Sequence, residues 1–204
     1  ANSYSQISPC DIIWDQPILL SDTTYPEAFR PHIAISGDDI VHITWQGGGK
    51  RFAYARSTDG GTTFVQGDLL GDSVNVPYAA WPAILAKDSM VYAFLAPPGY
   101  AGGRIRIRKS TNAGATWGSF MAVDSALAVW SPTCMGDTIC LAMDPPPDQP
   151  VQPVDILRST DAGETWSRAH QNINGDGEYC HLALTRGGVL HTVVQDMTSF
   201  EALY

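Results

Sequence analysis

The sequence predicts an all-β fold built from repeated four-stranded units, and three observations support this prediction. The stretch RSTDGGTTF (56–64) nearly recurs as KSTNAGATW (109–117) and RSTDAGETW (158–166). Apolar runs separated by short polar turns precede each copy. The chain shows no extended run with the 3.6-residue apolar period of a helix. A long internal repeat of this kind indicates an array of similar sheets.

Two strands and a tight turn are predicted upstream of each copy, because an apolar run, a Gly/Asp turn and a second apolar run are typical of a β-hairpin. The hairpins fall at 30–45, 81–94, 131–143 and 179–194. A third strand with alternating polar and apolar residues follows at RFAYAR, RIRIRK and VDILR, and a fourth comes after the repeat. Four strands in about 50 residues are the pattern of one β-propeller blade.

Each repeated stretch is suited to the turn between the third and fourth strands. Its Asp or Asn accepts backbone N–H bonds in a tight loop, its glycine adopts left-handed backbone, and its last aromatic residue packs against the blade. These structural positions are Ser57, Asp59, Gly61 and Phe64, then Ser110, Asn112, Gly114 and Trp117, then Ser159, Asp161, Gly163 and Trp166.

The three stretches follow the pattern S-x-D-x-G-x-T-[WF], with Asn112 in place of the acid in the second, and they resemble the Asp-box, or BNR repeat, of the sialidase superfamily. The resemblance covers nearly the whole chain. It implies a β-propeller, six-bladed in true sialidases, with the boxes on the face opposite the active site. Other Asp-box propellers have different blade counts and no hydrolase activity.

Four blades are predicted in a single domain over residues 1–204. The stretch WDQPILLSD (14–22) resembles FVQGDLLGD (64–72), so the chain opens with a fourth strand, and SFEALY (199–204) takes the place of a third strand. We therefore expect the N-terminal strand to complete the last blade and hide its edge. The expected blades are 30–72, 81–124, 130–173, and 179–204 with 11–22. The alternative is that the chain is part of a six-bladed propeller.

Charge and apolar patterning exclude two kinds of partner. The net charge is −9, and no run of Lys and Arg is present that would neutralise nucleic-acid phosphates. No apolar stretch is long enough to insert into a membrane. The expected partners are therefore a glycan or an extracellular protein, with self-assembly as an alternative.

The four cysteines lack the paired spacing of a zinc site. Cys134 and Cys140 flank a predicted turn, so we expect a disulfide between them and a second between Cys10 and Cys180; four free thiols are the alternative. Disulfides indicate an oxidising compartment, so we expect a secreted or cell-surface protein. No cofactor or metal site is expected, although structural calcium at SDTT (21–24) or NGDGE (174–178) stays open.

The candidate ligand-binding residues are those that begin the first strand of each blade. They are Arg30, Trp81, Trp130 (beside Ser131) and Tyr179, and the predicted topology brings them together opposite the repeated loops. An arginine among aromatic rings suits a sugar carboxylate or a sugar ring. The alternative is that these bulky residues only plug the mouth of the central channel.

The sequence FRPHIA (29–34) resembles the sialidase FRIP motif, whose arginine contacts the sialic acid carboxylate. This resemblance stops at Arg30, because the equivalent positions of the other blades carry no arginine. Tyr179 follows Glu178, but adjacent residues of a strand point to opposite faces. We therefore leave catalytic residues unassigned and expect a non-catalytic glycan- or protein-binding module. The alternatives are an exo-sialidase or related glycosidase, or a fragment of one, and a structural unit of an extracellular assembly.

Overall fold

The computed structural model of the chain contains four antiparallel sheets, and the first strands of successive sheets contact one another. It describes residues 16–21, 28–47, 51–69, 81–96, 104–126, 128–144, 154–171, 177–196, 199 and 201–203. Three sheets have four strands, and the fourth has three described strands. The architecture is an all-β propeller of four blades, which confirms the predicted fold class.

The strands follow the chain in order from the first to the last of each blade. Blade 1 contains β1 (Ala28–Ser36), β2 (Ile40–Gly47), β3 (Arg51–Ser57) and β4 (Val65–Asp68), with a single 3-10 turn at Gly37–Asp39. Blade 2 contains β5 (Trp81–Lys87), β6 (Met90–Ala96), β7 (Arg104–Ser110) and β8 (Met121–Ser125). Blade 3 contains β9 (Ala128–Met135), β10 (Thr138–Asp144), β11 (Val154–Ser159) and β12 (Ser167–Gln171). Blade 4 contains β13 (Gly177–Leu184), β14 (Leu190–Asp196) and β15 (Ala202–Leu203).

Local sequence explains the strands and the turns that join them. In β7, Ile105 and Ile107 are buried while the alternating Arg104, Arg106 and Arg108 are not, as period-two alternation requires. The hairpin turns of blades 2 and 3 place Asp88 and Gly136 at positive φ, the conformation that tight hairpin turns need. The result is four short hairpins, each extended by a third strand.

The hydrophobic core lies between neighbouring blades. Phe52 and Tyr54 of blade 1 pack with Leu95 of blade 2. Phe94 of blade 2 packs with Leu141 of blade 3. A third cluster joins blades 3 and 4 and contains Cys140, Ala142, Val154, Ile156, Cys180, Leu182 and Val194. Each blade is therefore held by the face that it presents to the next one, which fixes the order of the sheets in space.

The outward faces of the first and last blades are partly exposed. Ile33 and Ile35 of β1 are 63% and 60% exposed, and Val193 of β14 is 44% exposed. On the same face of blade 1, Leu20 packs against a buried group that includes Trp45. The segment before the first blade therefore covers part of the outward face of blade 1.

The N-terminal strand predicted over residues 11–22 is only partly described. Residues 16–21 do not form a strand in the structure, and residues 11–15 and 22 lie outside the described residues. The completion of blade 4 by this strand stays a prediction. So do the single domain over residues 1–204 and its blade boundaries. Within the described part of the chain, no helix is both long and apolar enough to cross a membrane.

The expected disulfides are wrong, because Cys134, Cys140 and Cys180 are free thiols in the structure. Cys134 pairs in register with Ile139, so the next residue, Cys140, points to the opposite face of the sheet. Accordingly, Cys134 packs between blades 2 and 3, whereas Cys140 packs between blades 3 and 4. Cys180 is fully buried, and this burial raises its pKa to about 12. Its expected partner, Cys10, lies outside the described residues.

Candidate functional site

The four residues predicted at the starts of the first strands form one continuous row, which we call the Arg–aromatic row. The guanidinium of Arg30 lies 3.6 Å from the centroid of the Trp81 ring. The ring centroids of Trp81 and Trp130 are 4.8 Å apart, and those of Trp130 and Tyr179 are 4.9 Å apart. Each blade contributes one member, so the row crosses all four blades.

Arg30 is held in position by a bulge, a ring and a hydrogen bond. The pairing of β1 with β2 is irregular between Phe29 and His32, and Arg30 has a positive φ of 52°. Its guanidinium donates a hydrogen bond of 2.6 Å to Oε1 of Gln46 and stacks on Trp81. A guanidinium carries five N–H donors, so the stacked group retains donors for a ligand.

The two tryptophans are anchored on their blades by contacts away from the row. Trp81 packs against the core between blades 2 and 3, and Trp130 packs against the core between blades 3 and 4. The indole Nε1 of Trp130 donates a hydrogen bond of 2.7 Å to Oδ1 of Asp144, which is 5% exposed. Both rings are half-buried, so each has a fixed edge and an accessible part.

Tyr179 lies at the other end of the row and has the same left-handed backbone conformation as Arg30. The pairing of β13 with β14 is irregular between Glu178 and His181, and Tyr179 has a positive φ of 54°. Its side chain is 46% exposed. Non-glycine residues adopt this conformation uncommonly, and such residues cluster at functional sites. The bulges therefore aim both side chains into the row at a cost in backbone energy.

Two histidines follow the end members of the row by two residues, His32 after Arg30 in β1 and His181 after Tyr179 in β13. Burial lowers the pKa of His32 below its ordinary value, and the nearby His181 lowers it further. A lowered pKa favours the neutral form of His32, and Arg30 is the one cationic side chain among the four members of the row. The arrangement combines a flat apolar surface with a guanidinium at one end, which is suited to a sugar ring that carries a carboxylate.

The buried carboxylates of blades 3 and 4 are engaged in hydrogen bonds. Asp144 accepts from Trp130, Asp155 is bound by Arg168, and Asp196 accepts from Ser199. Three further carboxylates, Asp22, Glu27 and Asp72, and the side chain of Glu178 lie outside the described part of the structure.

No group of three or more His, Cys, Asp or Glu side chains is arranged to hold a metal ion among the described residues. Of the two segments considered for calcium, residues 22–24 of SDTT (21–24) and residues 174–176 of NGDGE (174–178) lie outside the described ranges. The row is formed by an arginine and aromatic rings, so the groups that it offers are N–H donors and apolar surface.

The three repeated loops (57–64, 110–117 and 159–166) lie at the opposite end of the blades. In blade 1, Ala28 pairs with Gly47, which pairs with Arg51, at the end that carries the row. Ser57 pairs with Val41 at the other end, and the first loop begins there. The loops are therefore remote from the row, as the sequence predicts.

Hydrogen bonds inside the loops explain their recurring residues. In the first loop, Ser57 Oγ donates to Asp59 and accepts from the N–H of Gly61, while Asp59 accepts from Thr63. The same pattern joins Ser110, Asn112, Gly114 and Thr116, and also Ser159, Asp161, Gly163 and Thr165. Bonds from Thr63 and Ser57 lower the pKa of Asp59 to about 2. Bonds from Thr165 and Ser159 lower that of Asp161 to about 2.

The closing aromatic residues of the loops pack into the fold. Trp117 lies edge-on to Tyr54 of blade 1, with ring centroids 5.3 Å apart, and Trp166 lies edge-on to Phe94 of blade 2 at 6.1 Å. Phe64 packs on the outward face of blade 1. The second and third loops thus support the joints between blades 1 and 2 and between blades 2 and 3, whereas the first loop packs on its own blade.

Gln46 and Asp144 support the row, and no motif of the sequence marks them. Each lies near the end of the second strand of its blade, where the register of the hairpin brings it beside the start of the first strand. The feature of the sequence that could have indicated them is a polar residue near the end of a buried apolar strand. Its partner depends on the bulged register, which the sequence pattern does not reveal.

Solved structures with the same fold include carbohydrate-processing enzymes. The Hadza microbial sialidase Hz136 matches with a TM-score of 0.61 and 16% identity over 84% of this chain and 42% of that one. An alpha-L-arabinofuranosidase from Clostridium thermocellum matches with a TM-score of 0.57 and 13% identity over 84% of this chain and 62% of that one. The phage phi92 endosialidase matches with a TM-score of 0.57 and 10% identity over 83% of this chain and 30% of that one. The chain thus spans less than two thirds of each.

These likenesses, at low sequence identity, show the fold. No protein-family model and no curated protein sequence matches the chain. The fold is therefore a β-propeller of the kind found in sialidases and related glycoside hydrolases. On this scaffold the chain carries an arginine stacked at one end of a row of three aromatic rings.

Proposed function

We propose that the chain is a non-catalytic glycan-binding propeller and that the Arg–aromatic row is its binding surface. The observation that carries the proposal is the stacking of Arg30 on Trp81, in continuity with Trp130 and Tyr179. Aromatic faces bind the apolar faces of sugar rings, and a guanidinium binds a carboxylate through two parallel hydrogen bonds. The preferred ligand is an acidic glycan.

The geometry of the row favours a bound sugar over a purely structural plug. A plug has no need for exposed polar groups, yet Arg30 is exposed and Tyr179 is 46% exposed. The positive φ of both residues is also costly for packing alone. Gln46 and Asp144 fix Arg30 and Trp130 beforehand, so little side-chain entropy is lost when a ligand binds.

The three repeated loops support the assignment to Asp-box propellers. Their Ser, Asp or Asn, Gly and aromatic residues hold the turn and the joint between blades, which is the structural role that we propose for Asp-boxes here. Glycans with carboxylates are displayed outside cells, so we further propose an extracellular or cell-surface location.

A glycan array tests the proposal. The wild-type chain should bind glycans that carry a sialic or uronic acid more strongly than neutral ones, and the Arg30→Ala/Trp81→Ala double variant should lose this binding. Arg104→Ala is a matched control, because Arg104 is an exposed arginine at the start of β7. Equal binding by the double variant and the wild type would show that the row is not the binding surface.

A glycoside hydrolase is the second candidate, since the sialidase and the arabinofuranosidase with this fold are enzymes by name. Hydrolysis needs two positioned carboxyl groups, or a tyrosine helped by one. The described buried carboxylate beside the row, Asp144, is bonded to an indole N–H. The proposal predicts no release of fluorophore from a fluorogenic sialoside or arabinofuranoside by the isolated chain. Release at a steady rate would favour the enzyme.

A further inference from the structure

A cavity of about 280 Å³ lies between blades 3 and 4, at the end of the blades that carries the repeated loops. Thr138 and Arg158 locate it there, because Thr138 begins β10 and Arg158 precedes the loop that starts at Ser159. The Arg–aromatic row crosses the opposite end of the blades, where Trp130 lies near the start of β9. The cavity is therefore separate from the surface to which we assign glycan binding.

The cavity exists because a small side chain stands where other blades carry a ring. Strand register gives His42, Tyr92 and Cys140 the same position, since each pairs with the next-to-last residue of its third strand. All three side chains are buried on the side of the following blade. The space beside Tyr92 measures only about 30 Å³. Protein interiors are close-packed, so the exchange of a ring for a thiol accounts for the larger space beside Cys140.

Arg158 occupies a position whose counterparts bind a carbonyl oxygen. At the joint between blades 1 and 2, Nε of Arg56 donates to the carbonyl of Ala113 at 2.6 Å. At the joint between blades 2 and 3, Nζ of Lys109 donates to the carbonyl of Ala162 at 3.0 Å. Strand register makes Arg158 the equivalent residue of blade 3, and within the described part of the chain its guanidinium donates no such bond. Its donors are therefore available to a ligand.

A second arginine, Arg186, gives the cavity a positively charged rim. Arg158 and Arg186 are both exposed, and neither forms an ion pair with a described carboxylate. No Asp or Glu among the described residues lines the cavity. This local charge is opposite to the net charge of −9 of the chain. A guanidinium binds a carboxylate through two parallel hydrogen bonds, so the rim favours an anionic ligand.

The walls below the arginines are aliphatic. Ile156 is buried, and Leu184 and Leu190 are half-buried. No aromatic ring of the described residues lines the cavity, whereas the Arg–aromatic row has three. Aliphatic walls gain from burying an alkyl chain and offer no flat ring to a sugar. The volume lies near the lower end of small-molecule sites, which enclose roughly 300–1,000 Å³, so it suits a small ligand.

We propose that this cavity binds a small alkyl carboxylate. The carboxylate accepts hydrogen bonds from Arg158 and Arg186, as a loop carbonyl does from the equivalent cations of the other joints. The alkyl chain packs against Ile156 and Leu190, and the bound ligand covers the thiol of Cys140. The site is thus distinct from the glycan surface in its place on the fold and in its ligand chemistry.

Titration calorimetry of the full chain with octanoate tests the proposal. Octanoate should bind, acetate should not because it lacks the chain, and octanol should bind more weakly because it lacks the charge. Arg158→Ala and Arg186→Ala should each weaken octanoate binding at least about tenfold, because a charge-assisted hydrogen bond is lost, and should leave octanol binding unchanged. Ala169→Trp places a large ring at the exposed rim and should abolish binding of both.

Controls locate the ligand and show that the variants fold. Arg104→Ala, which removes an exposed arginine of blade 2, and the Arg30→Ala/Trp81→Ala variant should bind octanoate as the wild type does. Circular dichroism should show the same β structure in every variant.

Octanoate should also slow alkylation of Cys140, which lines the cavity, and not that of Cys134, which packs between blades 2 and 3. Peptide mass spectrometry measures both rates. No binding of octanoate at about 1 mM by the folded wild-type chain would overturn the proposal. Equal affinity in the wild type and both arginine variants would also overturn it.

Discussion

The guanidinium of Arg30 stacks on the ring of Trp81 at 3.6 Å while one of its nitrogens donates to Gln46. Only a planar group makes both contacts at once, so Arg30→Lys should weaken binding of an acidic glycan by about tenfold. Arg104→Lys, an exposed substitution on β7, should leave the affinity unchanged. Titration by tryptophan fluorescence measures both; full affinity in Arg30→Lys would show that charge alone suffices.

The hydrogen bond from Trp130 to Asp144 should stabilise the fold through the acceptor oxygen of Asp144 rather than through its charge. Asp144→Ala leaves a half-buried indole N–H without the acceptor it has now, and we expect a loss of about 1–3 kcal/mol in the free energy of unfolding. Asp144→Asn retains an acceptor oxygen and should cost less. Urea denaturation compares the two variants, and an equal loss in both would contradict the assigned role.

The carboxylates of the first and third loops should make stability depend on acid. Hydrogen bonds hold the pKa of Asp59 and of Asp161 at about 2, below the ordinary 3.8. A pKa that is lower in the folded state stabilises the fold above the ordinary value, and this contribution is lost as the pH falls from about 4 towards 2.

The matched variant for this effect is Asp59→Asn/Asp161→Asn, since Asn112 makes the equivalent bonds in the second loop. Asparagine does not titrate, so the double variant should lose less stability than the wild type between pH 5 and about pH 2.5. Urea denaturation at both pH values gives the comparison. An identical loss in the two proteins would assign the acid sensitivity to other groups.

Glycines at the same loop position should differ in their tolerance of a side chain. A Cβ on Gly114 would lie 2.1 Å from the hydroxyl of Tyr54, whereas a Cβ on Gly61 would meet nothing within 4 Å. Both have positive φ, so Gly61→Ala should cost only the backbone strain of about 1–2 kcal/mol. Gly114→Ala should cost about 1–3 kcal/mol more, because the Tyr54 and His42 side chains of the neighbouring blade must move. Thermal denaturation of the two variants would contradict this account if their midpoints were the same.

The sequence was informative wherever a repeat or a period carried the structure. Alternation in β7, the turns at Asp88 and Gly136, and the loops that begin at Ser57, Ser110 and Ser159 are where the pattern places them. The order of the strands then brings Arg30 towards the other three members of the row. Repetition made this possible, because the same register recurs in each blade.

Features that depend on a one-residue shift in strand register were not predictable from the sequence. Cys134 and Cys140 flank a turn as expected, but a shift of one position places them on opposite faces of the sheet. The bulge at Arg30 also changes the local register and brings Gln46 beside it, and the irregular pairing of β9 with β10 places Asp144 near Trp130. A pattern of apolar residues does not encode such local irregularities.

The direct test of the Arg–aromatic row is calorimetric titration with the acidic glycan that binds best on the array. We expect the Arg30→Ala/Trp81→Ala variant to bind it at least about thirtyfold more weakly than the wild type, because a charge-assisted pair and a stacking surface are lost together. Circular dichroism should show the same β structure in both proteins. Equal affinity in the folded double variant would contradict the claim that this row is the binding site.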